Sequence, residues 1–149
     1  MDDARTMVLT RVIAAPVDVV WQAWTSPEAL PQWWGPDGFS CQTKRIDLRE
    51  GGEWVFDMIG PDGTVWPNRH RIRVYKPMEK IAYSLDDPTQ DHPHAEVEVI
   101  FAPVEDGTRL TMAMEFATQA GCQAAKGFGA ERLGYQTLGK LASFVGAGE

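Results

Sequence analysis

The sequence predicts an α+β fold: a curved antiparallel sheet of about seven strands wrapped around a long C-terminal helix, with two short helices after strand 1. Three observations predict it. Apolar and polar residues alternate with period two through 53–59 and 68–75, and again at Val97, Val99 and Phe101 and at Leu110, Met112, Met114 and Phe116. Helical spacing of apolar residues occurs near the two ends, at Val17, Val20, Trp21 and Trp24 and at Leu138, Leu141, Ala142 and Val145. A sheet alternating in this way has one apolar face that needs cover, and the long last helix is the natural cover.

Taken in order, Val8-Leu9-Thr10-Arg11-Val12-Ile13 is short and β-branched, which reads as a strand. Ala14-Ala15-Pro16 ends it, and Pro16 suits the first turn of a helix. Ser26-Pro27-Glu28 reads as a second helix start, a capping hydroxyl followed by proline and an acid. Pro31 must shorten or kink that helix. Beyond Gly35-Pro36-Asp37-Gly38 come strands over 39–48, 53–59, 68–75, 79–85, 95–101 and 108–116. Pro61-Asp62-Gly63 and Glu105-Asp106-Gly107 supply turns. In the hairpin of 53–59 and 68–75, Trp54, Phe56 and Met58 share one face with Asn68, His70, Ile72 and Val74. The acids Glu53 and Asp57 then face Arg69, Arg71 and Arg73 on the wet side. The final helix carries Gly127, Gly129, Gly134 and Gly139 in or before it. Each interior glycine costs about 1 kcal/mol against alanine, which close contact with the sheet or mobility at a pocket mouth would offset.

A length of 149 residues suits one domain, expected over 1–149 with 1–6 as a short polar tail. The net charge of -7 sets aside nucleic acid and anionic membrane surfaces as default partners. No apolar run has the length of a signal peptide or membrane span. Cys41 and Cys122 lie far apart in no motif and are expected to be reduced and inert, which points to the cytoplasm. Asp91-His92-Pro93-His94 resembles a chelating motif, but its prolines mark a solvated turn, so no metal and no cofactor are expected. Sheet edges leave monomer and homodimer both open.

The helix pair Ala15-Pro16-Val17-Asp18-Val19-Val20-Trp21 and Pro27-Glu28-Ala29-Leu30-Pro31-Gln32-Trp33-Trp34-Gly35-Pro36 resembles the activator of heat-shock protein 90 ATPase homologue family, within the START-like (SRPBCC) superfamily. Arg49-Glu50-Gly51-Gly52-Glu53-Trp54 is similar to that family's strand-turn-strand glycine pair. Gly134-Tyr135-Gln136-Thr137-Leu138-Gly139-Lys140-Leu141 resembles its last helix. The likeness runs from about Val8 to Val145. It implies a helix-grip fold with a cavity for apolar small molecules, and it implies no single activity.

Through that resemblance, the inward-facing set becomes a candidate pocket: Trp54, Phe56, Met58, Trp66, Asn68, His70, Ile72, Tyr83, Val97, Val99, Met112, Met114, Phe116, Phe128 and Tyr135. Each of these taken alone is the kind of residue that simply fills a core. His70, Asn68 or Tyr83 would orient a bound molecule, and the glycines around Phe128 would let the helix start act as a lid. Two other readings stand beside ligand binding. One is a cyclase- or hydrolase-like enzyme with His70 as general base, although no nucleophile or carboxylate is placed beside it by sequence. The other is a chaperone-associated stress-response protein acting through an exposed apolar patch that includes Trp33 and Trp34.

Overall fold

The computed structural model describes residues 3–86, 89 and 93–146. Strand β1 (Thr6–Ile13) leads into helices α1 (Val17–Thr25) and α2 (Leu30–Trp33). Strands β2 (Ser40–Ile46), β3 (Glu53–Ile59), β4 (Val65–Lys76), β5 (Lys80–Asp86), β6 (Pro93–Val104) and β7 (Gly107–Phe116) follow, and then helices α3 (Gln119–Gly127) and α4 (Ala130–Phe144). The strands form one sheet in the order β1-β7-β6-β5-β4-β3-β2, antiparallel at every junction. It is a meander from β2 to β7 with β1 laid against its last strand. The helices cover the concave face, in the helix-grip arrangement.

The core follows the alternation. Trp54 and Phe56 of β3, Val97, Val99 and Phe101 of β6, and Leu110 and Met112 of β7 are buried on one face. Val20, Trp21 and Trp24 of α1 and Leu138, Leu141 and Ala142 of α4 close over them. Trp21 meets Phe101 edge-on at 5.0 Å, and Trp33 donates its indole N–H to Ala23 O at 2.9 Å, which fastens α2 to α1. Trp33 is 1% exposed and Trp34 packs against the core, so the two tryptophans form no surface patch.

Three expectations are corrected. Helix α2 begins at Leu30, not at Ser26; Ser26 instead caps a turn, its Oγ accepting from Ala29 N at 3.2 Å. Pro31 falls in the first turn of α2, where its missing donor has no intrahelical partner to lose. Val74 is not inward, because the β4–β5 register shifts between Ile72 and Val74. Arg73 is the extra residue of a bulge, which inverts the phase and turns Tyr75 towards the core. The helical C-terminus is two helices rather than one. Thr118 Oγ1 caps α3 by accepting from Gly121 N at 2.9 Å, and Gly129, at φ +90°, separates α3 from α4.

The wet-side arginines find different acids from those expected. Glu53 lies opposite Arg71 but pairs with Arg45 of β2, and Asp57 pairs with Lys44. Arg69 makes a fork to Asp86 of β5, Nε and an Nη each 2.8 Å from a carboxylate oxygen. Arg73 reaches Ser84 of β5 and, at 3.3 Å, Glu96 of β6. The Arg69 and Asp86 side chains are 17% and 8% exposed, and such a pair is costly to break because it strands a buried charge. Asp86→Asn is therefore expected to lower stability by about 3 kcal/mol in urea unfolding. Arg71→Ala, half exposed and 4.0 Å from the same carboxylate, should cost under about 1 kcal/mol.

Candidate functional site

The concave face divides into two halves. Under α1 and α2 it is filled by aromatic rings. Trp34, at the end of α2, meets Trp24, Trp33, Trp54 and His70 edge-on, with centroids 5.2 to 6.1 Å apart. Trp54 stacks on Phe56 at 3.7 Å and His70 on Tyr83 at 4.2 Å. Such edge and offset-stacked pairs add about 0.5–1.5 kcal/mol each beyond their burial.

Under the first turns of α4 the face is not filled. A chamber of about 200 Å³ lies there. Its sheet wall is Met7 and Leu9 of β1, Met58 of β3, and Met112 and Met114 of β7. Its helix wall is Ala130, Leu133, Gly134 and Thr137, and Trp34, Gly35 and Pro36 close the side towards the aromatic half. The lining is almost wholly apolar, since the Thr137 hydroxyl is used within the helix, donating to Leu133 O at 3.3 Å. A Cβ on Gly134 would stand 2.4 Å from Leu9 Cδ1, so any larger residue here would push that methyl aside. Outside the chamber, three α4 side chains make four hydrogen bonds that hold the helix. Lys140 Nζ donates to Pro36 O and Phe39 O at 3.3 Å, Asp37 N donates to Gln136 Oε1 at 3.2 Å, and Thr10 N donates to Tyr135 Oη at 3.3 Å.

The structure gathers the sequence-derived candidates into three groups. Met58, Met112 and Met114 line the chamber. Trp54, Phe56, Ile72, Val97 and Val99 are core, and His70 and Tyr83 are buried in the aromatic half. The other five lie outside the chamber and the aromatic half. Trp66 is 51% and Phe128 80% exposed, and Tyr135 lies on the outer side of α4 against β1. Asn68 turns back to donate to Trp66 O, because β4 runs past the end of the covered face there. Phe116 is half-buried in an indentation with Arg5 at the far end of β7. Among the lining residues that sequence reasoning left out, Met7 continues the Leu9 face of β1 by one alternation. That signal was available in the sequence. Gly35 and Pro36 had none, because they line the chamber through the path of a loop.

Burial governs the titratable groups. It lowers His70 to a pKa of about 3, partly opposed by the charge of Asp86, so the imidazole is neutral. It also raises Tyr83 far above its ordinary value. Burial pushes the Cys41 thiol up to about 11 against the influence of Lys140, and its S–H donates to Trp34 O at 3.6 Å. His70 makes no hydrogen bond to a nucleophile or carboxylate among the described residues. Among those residues no cluster of three or more His, Cys, Asp and Glu is placed to hold a metal ion, and no helix is long and apolar enough to cross a membrane. The Asp91-His92 part of the chelating motif lies outside the described residues.

The family model described as Activator of Hsp90 ATPase homolog 1-like protein matches residues 14–146. No curated protein matches the chain. Among solved structures, a crystal structure of a protein from Nitrosomonas europaea is similar, at 25% identity over 97% of this chain and 96% of that one, with a TM-score of 0.88. A protein from Mycobacterium smegmatis is similar at 24% identity over 99% and 94%, with a TM-score of 0.86. An AHSA1-like protein from Aeromonas hydrophila, solved by NMR, matches at 21% identity over 95% and 92%, with a TM-score of 0.69. The last two likenesses show the fold alone.

The lowered pKa of His70 has a consequence for stability. The unfolded chain takes up a proton near pH 6.5, while the folded chain resists it down to about 3. The stability due to neutral burial is whole above pH 6.5 and is lost progressively as pH falls towards 3. Urea midpoints measured from pH 7 to pH 4 should fall more steeply for the wild type than for His70→Phe.

Proposed function

The chain belongs to the Activator of Hsp90 ATPase homolog 1-like family, and from that premise we propose that it binds a small apolar or aromatic molecule in the methionine-lined chamber between the sheet and α4. The observation that carries this reading is the chamber itself: about 200 Å³ of almost wholly apolar space between the sheet and α4. Close packing is the rule in protein interiors, and a void forfeits dispersion contacts along its whole lining. A ligand restores them and gains about 25 cal/mol for each Å² of apolar surface it removes from water. Methionine suits such a wall, because an unbranched, polarisable side chain repacks around differently shaped guests. Free thiols at Cys41 and Cys122 favour placing the protein in the cytoplasm.

The other two readings have less to stand on. A general base with a pKa near 3 is poorly matched to neutral pH, which weighs against His70 in a cyclase or hydrolase. A chaperone contact through Trp33 and Trp34 would need side chains that are packed in the core.

Native mass spectrometry on protein purified gently from its own host is the test. A stoichiometric adduct that extracts as a small apolar molecule is the expected result. A clean apo mass, together with no saturable binding of aromatic probes, would contradict it. Met114→Trp should fill the chamber and weaken binding at least about tenfold while the protein stays folded, since a half-buried position tolerates added volume next to a void.

A further inference from the structure

Behind Trp34, on the side away from the methionine chamber, lies a second void of about 20 Å³. Trp34 lines both voids, so the two lie next to each other. The two differ in chemistry. The small void is lined by Trp24, His70 and Tyr83 as well as by apolar groups. Trp24 Nε1 and Tyr83 Oη are the buried side-chain polar atoms that find no hydrogen-bond partner among the described residues. Trp24 is 4% and Tyr83 3% exposed, and the His70 ring, 6% exposed, lies flat against Tyr83.

Buried donors without partners are uncommon, because each forfeits its bond to water. Here two of them belong to residues around one void, next to the proposed ligand chamber. The indole N–H donates only, and the phenol donates or accepts. An uncharged oxygen in the void is the acceptor that either donor lacks. A volume of about 20 Å³ is enough for one water-sized group, since such a group needs roughly 10–15 Å³. The lining holds no lysine, arginine or carboxylate, and its histidine is neutral, so a charged group would enter without a counter-ion and lose its hydration.

We propose that the void behind Trp34 is the polar end of the ligand site and takes one uncharged oxygen, a hydroxyl or a carbonyl, from a ligand whose apolar body fills the methionine chamber. This rests on the chamber being the binding site. Trp34 then decides which ligands fit. It borders both parts of the site, and Gly35 beside it, at φ +100°, is the position where the backbone bends. The ligand class narrows from apolar molecules in general to apolar bodies with a neutral oxygen at one end, such as phenols, alcohols and ketones.

The test compares naphthalene with 1-naphthol, which share a skeleton and differ by one oxygen, by calorimetric titration of the wild type and of Tyr83→Phe. Tyr83→Phe removes only an oxygen that has no hydrogen-bond partner among the described residues, so the variant is expected to fold. The wild type should prefer the naphthol beyond what its different water solubility explains. That preference should shrink about three- to tenfold in Tyr83→Phe, the worth of one net hydrogen bond. Trp24→Phe, which removes the other donor, should shrink it in the same way. Equal preference in wild type and both variants would overturn the polar end while leaving the chamber reading intact. Failure of both probes to bind the wild type would overturn the two together.

Discussion

The packing of four rings around Trp34 is the constraint on which the site depends. Trp24 and Trp33 reach it from the helices, and Trp54 and His70 from the sheet. These contacts hold α1 and α2 down on the middle strands and fill that half of the concave face. Trp34 is the last residue of the filled half. Beyond it the chain turns through Gly35 and Pro36, and the space between β1, β7 and α4 is left to flexible methionines. The boundary between a rigid aromatic core and a deformable open chamber is therefore one side chain.

The chamber stays open for reasons that lie on the helix. Ala130, Gly134 and Thr137 present little volume towards the sheet, and Gly134 rests directly on Leu9. Lys140 and Gln136 fix the distance on the other side by holding the loop at Pro36 and Asp37. The helix is thus close at one point and tied at another, and it cannot settle into the gap without breaking those contacts. Glycine lowers helix propensity at 134, and here that cost is exchanged for a close approach. The sequence offered close contact and mobility as alternative reasons for these glycines; contact is the one that Gly134 displays.

Much of the architecture was legible because it follows period and punctuation. The alternation at Trp54, Phe56 and Met58 and at Leu110, Met112 and Met114 assigned faces correctly, and Pro-Asp-Gly marked a turn between strands. Phase was lost where the chain breaks its own period. The bulge at Arg73 exchanged Val74 for Tyr75, and nothing in Arg-Ile-Arg-Val-Tyr announces it. The split between α3 and α4 did leave a trace, in Thr118 three residues before Gly121 and in Gly129. The site was less legible than the fold. Inward direction can be read from a strand, but whether inward residues touch each other or a void depends on how far the cover stands off. Trp54 and Phe56 point the same way as Met58, yet only Met58 lines the chamber, while the other two are wholly buried among rings. Phe128 and Trp66, large and apolar, had the composition of pocket residues and lie outside it for want of cover.

Methionine itself offers the most direct measurement of the central claim. Four of the six methionines, Met7, Met58, Met112 and Met114, line the chamber, whereas Met78 is exposed on a remote turn. With the methionine methyl groups labelled with carbon-13, an aromatic ligand can be titrated and every methyl followed by NMR. The account predicts that these four resonances move together and saturate at one concentration while Met78 stays in place. Saturable binding that leaves the four unmoved would place the ligand elsewhere and contradict it.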